Sequence, residues 1–422
     1  MNKPTYSLLI AAIASALISI APITDVQAQL NDGVPSDPGL FGTVYNFPAD
    51  ADPTGHFGDV TGATLTQINF NAGSAIGGNG RDYNYVEANL YAGSELNYGQ
   101  DFFNSEVNLI SGTILGTVDI DANSTLNMSG GFIGTSSNVF GTAHISAGVV
   151  SQHMDAEDGS VFTITGGDLG SNFDAKAGSV VNISGASTMF GTLWEFESGS
   201  NVTVSGGMFS LNGKISGTAS VNISGGSFGT NLIVTSNDLA IAGGDFSQVL
   251  AKNGSVVNIG GGDFGANFSA ESGSEVVVNG GSFGNGFNPN AGSVVTITGG
   301  EFDDFFTNDG TTSISGGTFD ASHIFRSSGD TNFTGTAFFI DGVPIAGSGL
   351  QPITDRGGAK LTGILQDGSS IDVDLFATGI QVDERDTRDF FSGGLTVTIV
   401  PEPGSLALLG LSGLALAVVR RR

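Results

Sequence analysis

The feature that most constrains this chain is a sequence repeat of about 19 residues. In the stretch AKNGSVVNIGGGDFGANFSAESGSEVVVNGGSFG, residues 251–284, a Gly-Ser, an alternating Val/Ile run, a Gly-Gly and a Phe all occur twice. Fourteen such copies run from Ser74 to Gly317, so 243 residues over 13 intervals give a period of about 18.7 residues. One copy is too short to bury its own apolar face, so the copies must stack, which predicts a solenoid.

The short-range pattern within each copy predicts a strand followed by a corner. Apolar residues alternate with other residues at period two, which is typical of a strand with one buried face, as at Val181/Ile183, Val202/Val204, Val221/Ile223, Val276/Val278 and Val295/Ile297. The glycines that follow end the strand and allow a positive φ. Two residues later a Phe recurs, at Phe209, Phe228, Phe246, Phe264, Phe283, Phe302 and Phe319. We expect the outward Asn, Ser and Thr side chains to form hydrogen-bonded ladders.

These patterns predict an all-β protein, a single-stranded parallel β-helix of about 14 turns. Turns of about 19 residues at ~3.3 Å each give three sides of about 20 Å, and a spacing of about 4.8 Å makes a rod of roughly 65 Å. The crossover rule favours a right-handed helix, and a left-handed helix with 18-residue turns is the alternative. We assign 61–334 to the β-helix and 335–400 to a small antiparallel C-terminal β cap with a hairpin turn at Asp367-Gly368.

The range 29–60 is rich in Pro, Asp and Gly, and we assign it to an irregular N-terminal cap. Tyr residues concentrate in and just after it, at Tyr45, Tyr83, Tyr85, Tyr91 and Tyr98. Such a cluster could form an aromatic ligand platform, but covering the exposed first turn of the solenoid is the favoured interpretation.

Charge narrows the range of partners. The chain has 41 Asp and Glu against 13 Lys and Arg, a formal net charge of −28. A field of this sign repels nucleic acid and anionic membrane surfaces. There is no Cys, so neither disulfides nor thiolate metal sites can stabilise the fold.

The first 28 residues read as a secretory signal peptide. Lys3 precedes an apolar stretch, and small residues place the cleavage site between Ala28 and Gln29. An uncleaved N-terminal membrane anchor is the alternative. Removal is favoured because Pro22 and Asp25 follow the apolar stretch and lead into the Val-Gln-Ala of a cleavage site.

The C-terminal segment, 401–422, reads as a short membrane segment with a basic end. Its apolar run from Leu406 to Val419 is 14 residues, about 21 Å as a helix, which is short of the ~30 Å hydrocarbon core. Three arginines close the chain at Arg420, Arg421 and Arg422. By the positive-inside rule they place this end in the cytoplasm and everything before Val400 outside.

The Pro401-Glu402-Pro403 triplet, the short apolar run and the terminal arginines resemble the PEP-CTERM sorting tail of exported bacterial proteins. The resemblance implies that an exosortase-type membrane protease recognises the triplet, removes the tail after transient membrane anchoring, and delivers the protein to the cell surface or the biofilm matrix. It implies that these residues are recognised and are not catalytic. A permanent C-terminal anchor is the alternative.

No pattern in the repeats predicts catalysis. Parallel β-helices often carry polysaccharide lyases and hydrolases, which need paired carboxylates or a basic side chain in a groove. Asp303-Asp304 is a tight acidic pair next to a Phe pair, and it is more typical of a solvated turn. Between Gln100 and Asp320 there is no Arg, and the lysines are Lys176, Lys214 and Lys252, 38 residues apart, which predicts that they line one edge two turns apart. His56, His144, His153 and His323 lack metal-ligand spacing.

We therefore expect an exported structural or adhesive surface protein, with exopolysaccharide or surface proteins as partners and no cofactor. A polysaccharide lyase or hydrolase is the alternative, and a cation-binding surface repeat protein is the second. The second rests on acids directly after the Gly-Gly, of which Asp245 and Asp263 would stand about 4.8 Å apart in adjacent turns. Calcium takes several oxygen ligands, so we expect at most weak binding here and folding that is independent of metal.

Overall fold

The protein is an all-β solenoid. A computed structural model describes residues 44–47, 57–58, 65–76, 81–97, 99–303, 305–319, 324–354, 357–376 and 389–401. The solenoid strands are β1 (Val44–Phe47), β2 (Phe57–Gly58), β3 (Thr66–Phe70), β4 (Ala75–Ile76), β5 (Arg81–Asn84), β6 (Val86–Leu90), β7 (Glu95–Leu96), β8 (Gln100–Phe103), β9 (Glu106–Leu109), β10 (Thr113–Ile114), β11 (Val118–Ile120), β12 (Thr125–Ile133), β13 (Ser137–Val139), β14 (Thr142–Val150), β15 (Gln152–Ala156), β16 (Val161–Ile164), β17 (Ser171–Ala175), β18 (Val180–Ile183), β19 (Met189–Phe190), β20 (Glu195–Phe196), β21 (Asn201–Phe209), β22 (Lys214–Ile215), β23 (Ser220–Phe228), β24 (Leu232–Val234), β25 (Asp238–Phe246), β26 (Val249–Ala251), β27 (Val256–Ile259), β28 (Asp263–Ala270), β29 (Glu275–Val278), β30 (Ser282–Pro289), β31 (Val294–Phe302), β32 (Phe305–Asn308), β33 (Thr311–Phe319) and β34 (Ile324–Ser327). They continue into β35 (Asp330–Ile340), β36 (Val343–Pro344), β37 (Gly349–Pro352), β38 (Gly357–Leu365), β39 (Ser370–Phe376), β40 (Phe390–Phe391) and β41 (Leu395–Ile399).

Each turn of the solenoid has three sides, and every strand pairs in parallel with its equivalents one turn before and after. Side A holds the Val/Ile strands, in which Val181 pairs with Phe162 and with Val202. Side B is the short segment with the recurring Phe, and side C is the segment that leads back to side A. Side B has fourteen successive rungs from Ala75 to Thr318, hence thirteen turns between them, against the predicted 14.

The core is a single layer of apolar side chains that repeat at the turn spacing. Side A contributes the predicted aliphatic pairs, for example Val202 and Val204, both fully buried. Side B contributes a column of stacked rings in which Phe228, Phe246 and Phe264 follow one another at centroid distances of 4.8 Å. Side C adds a second column, in which Phe268 and Phe287 lie 5.2 Å apart. Because offset stacks contribute about 0.5–1.5 kcal/mol beyond burial, the Phe repeat stabilises the stacking as well as the core.

Two kinds of corner separate the sides. At the corner between A and B, a Cβ on Gly243 would lie 2.6 Å from the carbonyl oxygen of Ser224 in the turn before, and Gly244 has φ +108°. A side chain at Gly243 would therefore clash with the previous turn, and Gly244 adopts a backbone conformation that other residues rarely adopt. At the corner between C and A, the buried Ser179 closes a tight turn, since its amide and its Oγ both donate to the carbonyl of Lys176, at 3.1 and 2.7 Å.

The parallel pairing reaches into the range predicted to be an irregular cap. β1 pairs with β3, and β2 pairs with β5. Tyr83, Tyr85 and Tyr91 do not form one platform. Tyr83 is buried in the core, stacked on Phe102 at 4.6 Å, whereas Tyr85 and Tyr91 lie at different corners. Tyr98 lies outside the described residues.

The predicted antiparallel C-terminal cap is confirmed, and its last strand adds a parallel pairing that the sequence did not predict. β35 pairs with β36 and β38, and β38 with β39, all antiparallel, which confirms the hairpin turn at Asp367-Gly368. β41, however, pairs in parallel with β35 and antiparallel with β37, so it adds one more rung to the solenoid. The hairpin turn also contacts the last turn of the solenoid, because Asp367 accepts a hydrogen bond of 2.8 Å from the amide of Gly317.

Candidate functional site

The predicted sorting triplet begins directly at the end of the folded body. β41 ends at Ile399, the amide of Val400 donates to the carbonyl of Gly335 at 2.8 Å, and Pro401 is exposed. Glu402, Pro403, Arg420, Arg421 and Arg422 lie outside the described residues, as do Ala28 and Gln29 at the predicted signal cleavage site. Within the ranges that the structure describes, no helix is long and apolar enough to cross a membrane.

Exposed apolar side chains border the point where the tail leaves. Val343 and Leu350 are 66% and 63% exposed, the highest values among the large apolar residues of the described chain. Leu350 lies on β37 opposite Thr398 of β41, and Val343 lies opposite Ile340 at the tip of the hairpin formed by β35 and β36. No sequence pattern predicted this exposure, since both residues stand in the non-repeating region.

The predicted cation candidates are in register. Asp245 pairs directly with Asp263 on side B, and the next rungs carry Ser227 before them and Ser282 after them. Both carboxylates point outward and are exposed. No group of three or more His, Asp or Glu side chains that could hold a metal ion occurs in the described part of the chain. The pair alone therefore offers too few ligands for a closed cation site.

The candidates for catalysis and the basic edge are scattered. Asp303 is exposed at the end of β31, and Asp304 lies outside the described residues. Lys176 and Lys252 occupy the same position of the turn, directly after a side C strand, whereas Lys214 lies on β22 two residues earlier in its turn. The three lysines therefore occupy two neighbouring columns, because turn lengths vary between copies.

Side C carries a column of carboxylates that sequence reasoning missed. Asp82, Asp101 and Asp119 are register partners on β5, β8 and β11. Burial, together with the negative charges of Asp119 and Asp82 and a hydrogen bond with Asp82, raises the pKa of Asp101 from 3.8 to about 6. Asp119 in turn accepts a hydrogen bond of 2.8 Å from Asn138 on the next rung. The spacing of 19 and 18 residues was a usable signal in the sequence.

Further along the same side, a lysine is enclosed by carboxylates. Nζ of Lys176 lies 2.8 Å from Glu197, 3.2 Å from Asp174 and 3.7 Å from Asp155. Partial burial lowers the pKa of Lys176, but the hydrogen bond to Glu197 and the charges of Asp174 and Asp155 outweigh it and raise that pKa above its usual range. The pKa values of Asp155 and Asp174 are still raised, first of all by burial.

The predicted polar ladder is confirmed on side A. The Nδ2 atoms of Asn89, Asn108 and Asn127 each donate to Oδ1 of the asparagine one turn before, at 3.0, 2.9 and 2.9 Å, with Asn69 as the first acceptor. Such ladders satisfy side-chain donors and acceptors within the rod.

Comparison with known proteins identifies the C-terminal motif and finds no match for the solenoid. No curated protein and no solved structure matches the chain. The family model described as the PEP-CTERM protein-sorting motif matches residues 400–422. This motif implies processing by an exosortase, and proteins that carry it are exported and sorted to the cell surface. The chain is thus a β-solenoid of about 13 turns that ends in a PEP-CTERM sorting motif.

Proposed function

We propose that the protein is a non-enzymatic structural or adhesive component of the cell surface or biofilm matrix, displayed as a rigid rod after its tail is removed. The observation that carries this proposal is the unbroken register of side B from Ala75 to Thr318. An enzyme of this architecture would be expected to break its register or enlarge a corner to form a substrate groove. A uniform rod instead suits a scaffold that holds its ends a fixed distance apart.

The stacking explains why such a rod would be stiff without disulfides. Each turn is held to the next by backbone ladders on three sides, by stacked rings such as Phe264 and Phe283 at 4.7 Å, and by polar ladders such as the asparagines of side A. Each turn contacts only its neighbours, so length and stiffness follow from the number of turns.

Localising the full-length chain and a form that ends at Pro401 tests the sorting half of the proposal. We expect the full-length chain to reach the surface or matrix and the tail-less form to remain in the periplasm. Mass spectrometry of the surface material should find no peptide from 406–419. Recovery of that peptide from the mature protein would contradict tail removal and favour a permanent anchor.

A hydrolase remains the alternative, and the column at Asp101 is the observation that favours it. A carboxyl group with a pKa of about 6 between two other acids has the properties of a general acid. We expect the purified rod to release neither reducing nor unsaturated ends from a panel of acidic and neutral polysaccharides. If the parent protein does release such ends, and Asp101→Asn abolishes the release while Asp303→Asn keeps it, the enzymatic proposal replaces the structural one.

A further inference from the structure

The direction of the last strands determines where the tail leaves the body. β35 and β41 run in parallel with Gly335 opposite Ile399, so the chain beyond Ile399 departs in the direction that β35 follows beyond Gly335. β35 continues for five more residues to Ile340, and β36 folds back from there. At ~3.3 Å per residue, the tip of this hairpin extends about 17 Å past the end of β41.

The sequence sets how far the membrane segment can lie from that point. Six residues, 400–405, separate Ile399 from the start of the apolar run at Leu406. Fully extended, they span at most about 20–22 Å. The six residues therefore limit the start of the apolar run to about 22 Å from the end of β41, a distance similar to the ~17 Å by which the hairpin tip extends past that point.

The composition of this end agrees with a contact. The two most exposed large apolar side chains of the described chain, Val343 and Leu350, lie on strands that pair with β35 and β41. Leu350 stands beside β41, and Val343 stands at the hairpin tip. An exposed apolar side chain at such a tip is placed to contact another apolar phase.

We propose that the hairpin tip, Asp341–Pro344, rests on the lipid–water interface while the sorting tail is anchored, with Val343 in contact with the lipid. This inference rests on the proposed membrane anchoring of the tail and adds a second contact made by the folded body. Since β35 crosses the rod axis, as the solenoid strands do, the contact lays the rod along the bilayer. Pro401, the first residue of the triplet, then lies on the side of the body that faces the membrane.

Single-cysteine labelling tests the contact, because the chain has no Cys of its own. Full-length Val343→Cys, carrying an environment-sensitive fluorophore, is reconstituted in phosphatidylcholine vesicles with and without lipids that bear a nitroxide near the headgroup. The matched control is Val180→Cys, which is exposed on side A and is the register equivalent of Asp330, ten residues or about 33 Å behind the tip along the strand direction. Equal melting temperatures of the labelled variants establish that both are folded.

We expect the label at position 343 to shift to the blue and to be quenched several-fold more than the label at 180, and to lose both effects when the chain ends at Pro401. A third variant, Leu411→Cys, reports on the tail itself. If the label at 411 is not quenched, the proposed anchoring fails. If 411 is quenched but 343 behaves like 180, the tail is anchored and the contact of the hairpin with lipid is refuted.

Discussion

Replacing Asp101 by Asn should make the solenoid less sensitive to pH near neutrality. Asp101 lies between Asp82 and Asp119 in the carboxylate column of side C, and its pKa is raised to about 6 by burial and by those two charges. The folded state therefore binds this proton more tightly than the unfolded chain does. Its contribution to stability is fully present below the unfolded pKa of 3.8, and it is lost as the pH rises through about 6.

The size of the effect follows from the shift. A difference of about two pKa units corresponds to at most about 3 kcal/mol, at 1.36 kcal/mol per unit. Because Asp101 is only half-buried on an outer face, solvent screening reduces this to roughly 1–2 kcal/mol. Asn keeps the shape and a hydrogen-bonding group but cannot ionise, so it should remove this term without leaving a cavity.

Urea unfolding at about pH 3 and about pH 8 measures the change, with Trp194 as the reporter, since it is the one Trp of the chain and is buried in the core. We expect Asp101→Asn to unfold like the parent at the lower pH and to be about 1–2 kcal/mol more stable at the higher pH. Asp303→Asn, at an exposed position, is the control and should change little at either pH. An Asp101→Asn variant whose pH dependence equals that of the parent would refute the reasoning.

Three further outcomes are expected. Phe246→Ala should lower the free energy of unfolding by about 3–5 kcal/mol, since it empties a buried place between two stacked rings, and a loss below about 1 kcal/mol in urea melts would argue against the Phe column. Gly243→Ala should destabilise more than Gly260→Ala, because an added Cβ would lie 2.6 Å from a carbonyl oxygen at the former and 3.8 Å from one at the latter, and equal melting temperatures would contradict this. Calcium should shift the melting temperature only slightly through Asp245 and Asp263, and a shift above about 10 °C over the chelated protein would reveal a closed site.

The repeat made the core of the rod predictable. Period-two alternation and the Phe two residues after Gly-Gly are local signals, so positions such as Val202 and Phe246 could be assigned to the interior without knowing which turn lies above or below. The register of Asp245 with Asp263 was predictable for the same reason, since those two copies differ by one turn of ordinary length.

The rest depended on distances that the sequence does not display. Turn lengths vary, so Lys214 falls out of the column that Lys176 and Lys252 share, although the three are evenly spaced in the chain. β41 is separated from its partner β35 by the whole β38–β39 hairpin, and no local pattern distinguishes a returning parallel rung from an antiparallel strand. The raised pKa of Asp101 could not be predicted from its local sequence, because it depends on burial and on the charges of Asp82 and Asp119 in the adjacent turns.

The in-register stacking determines how such a rod can gain or lose repeats during evolution. Val256, Glu275 and Val294 occupy the same place in three consecutive turns, and Glu275 pairs with the residue one turn before it and the residue one turn after it. Removal of residues 275–293 would bring Val294 against Val256, with the Val/Ile, Phe and Gly-Gly columns still aligned. Recombination between neighbouring copies therefore lengthens or shortens the rod in steps of about 4.8 Å, and leaves every remaining turn with the same kind of neighbour.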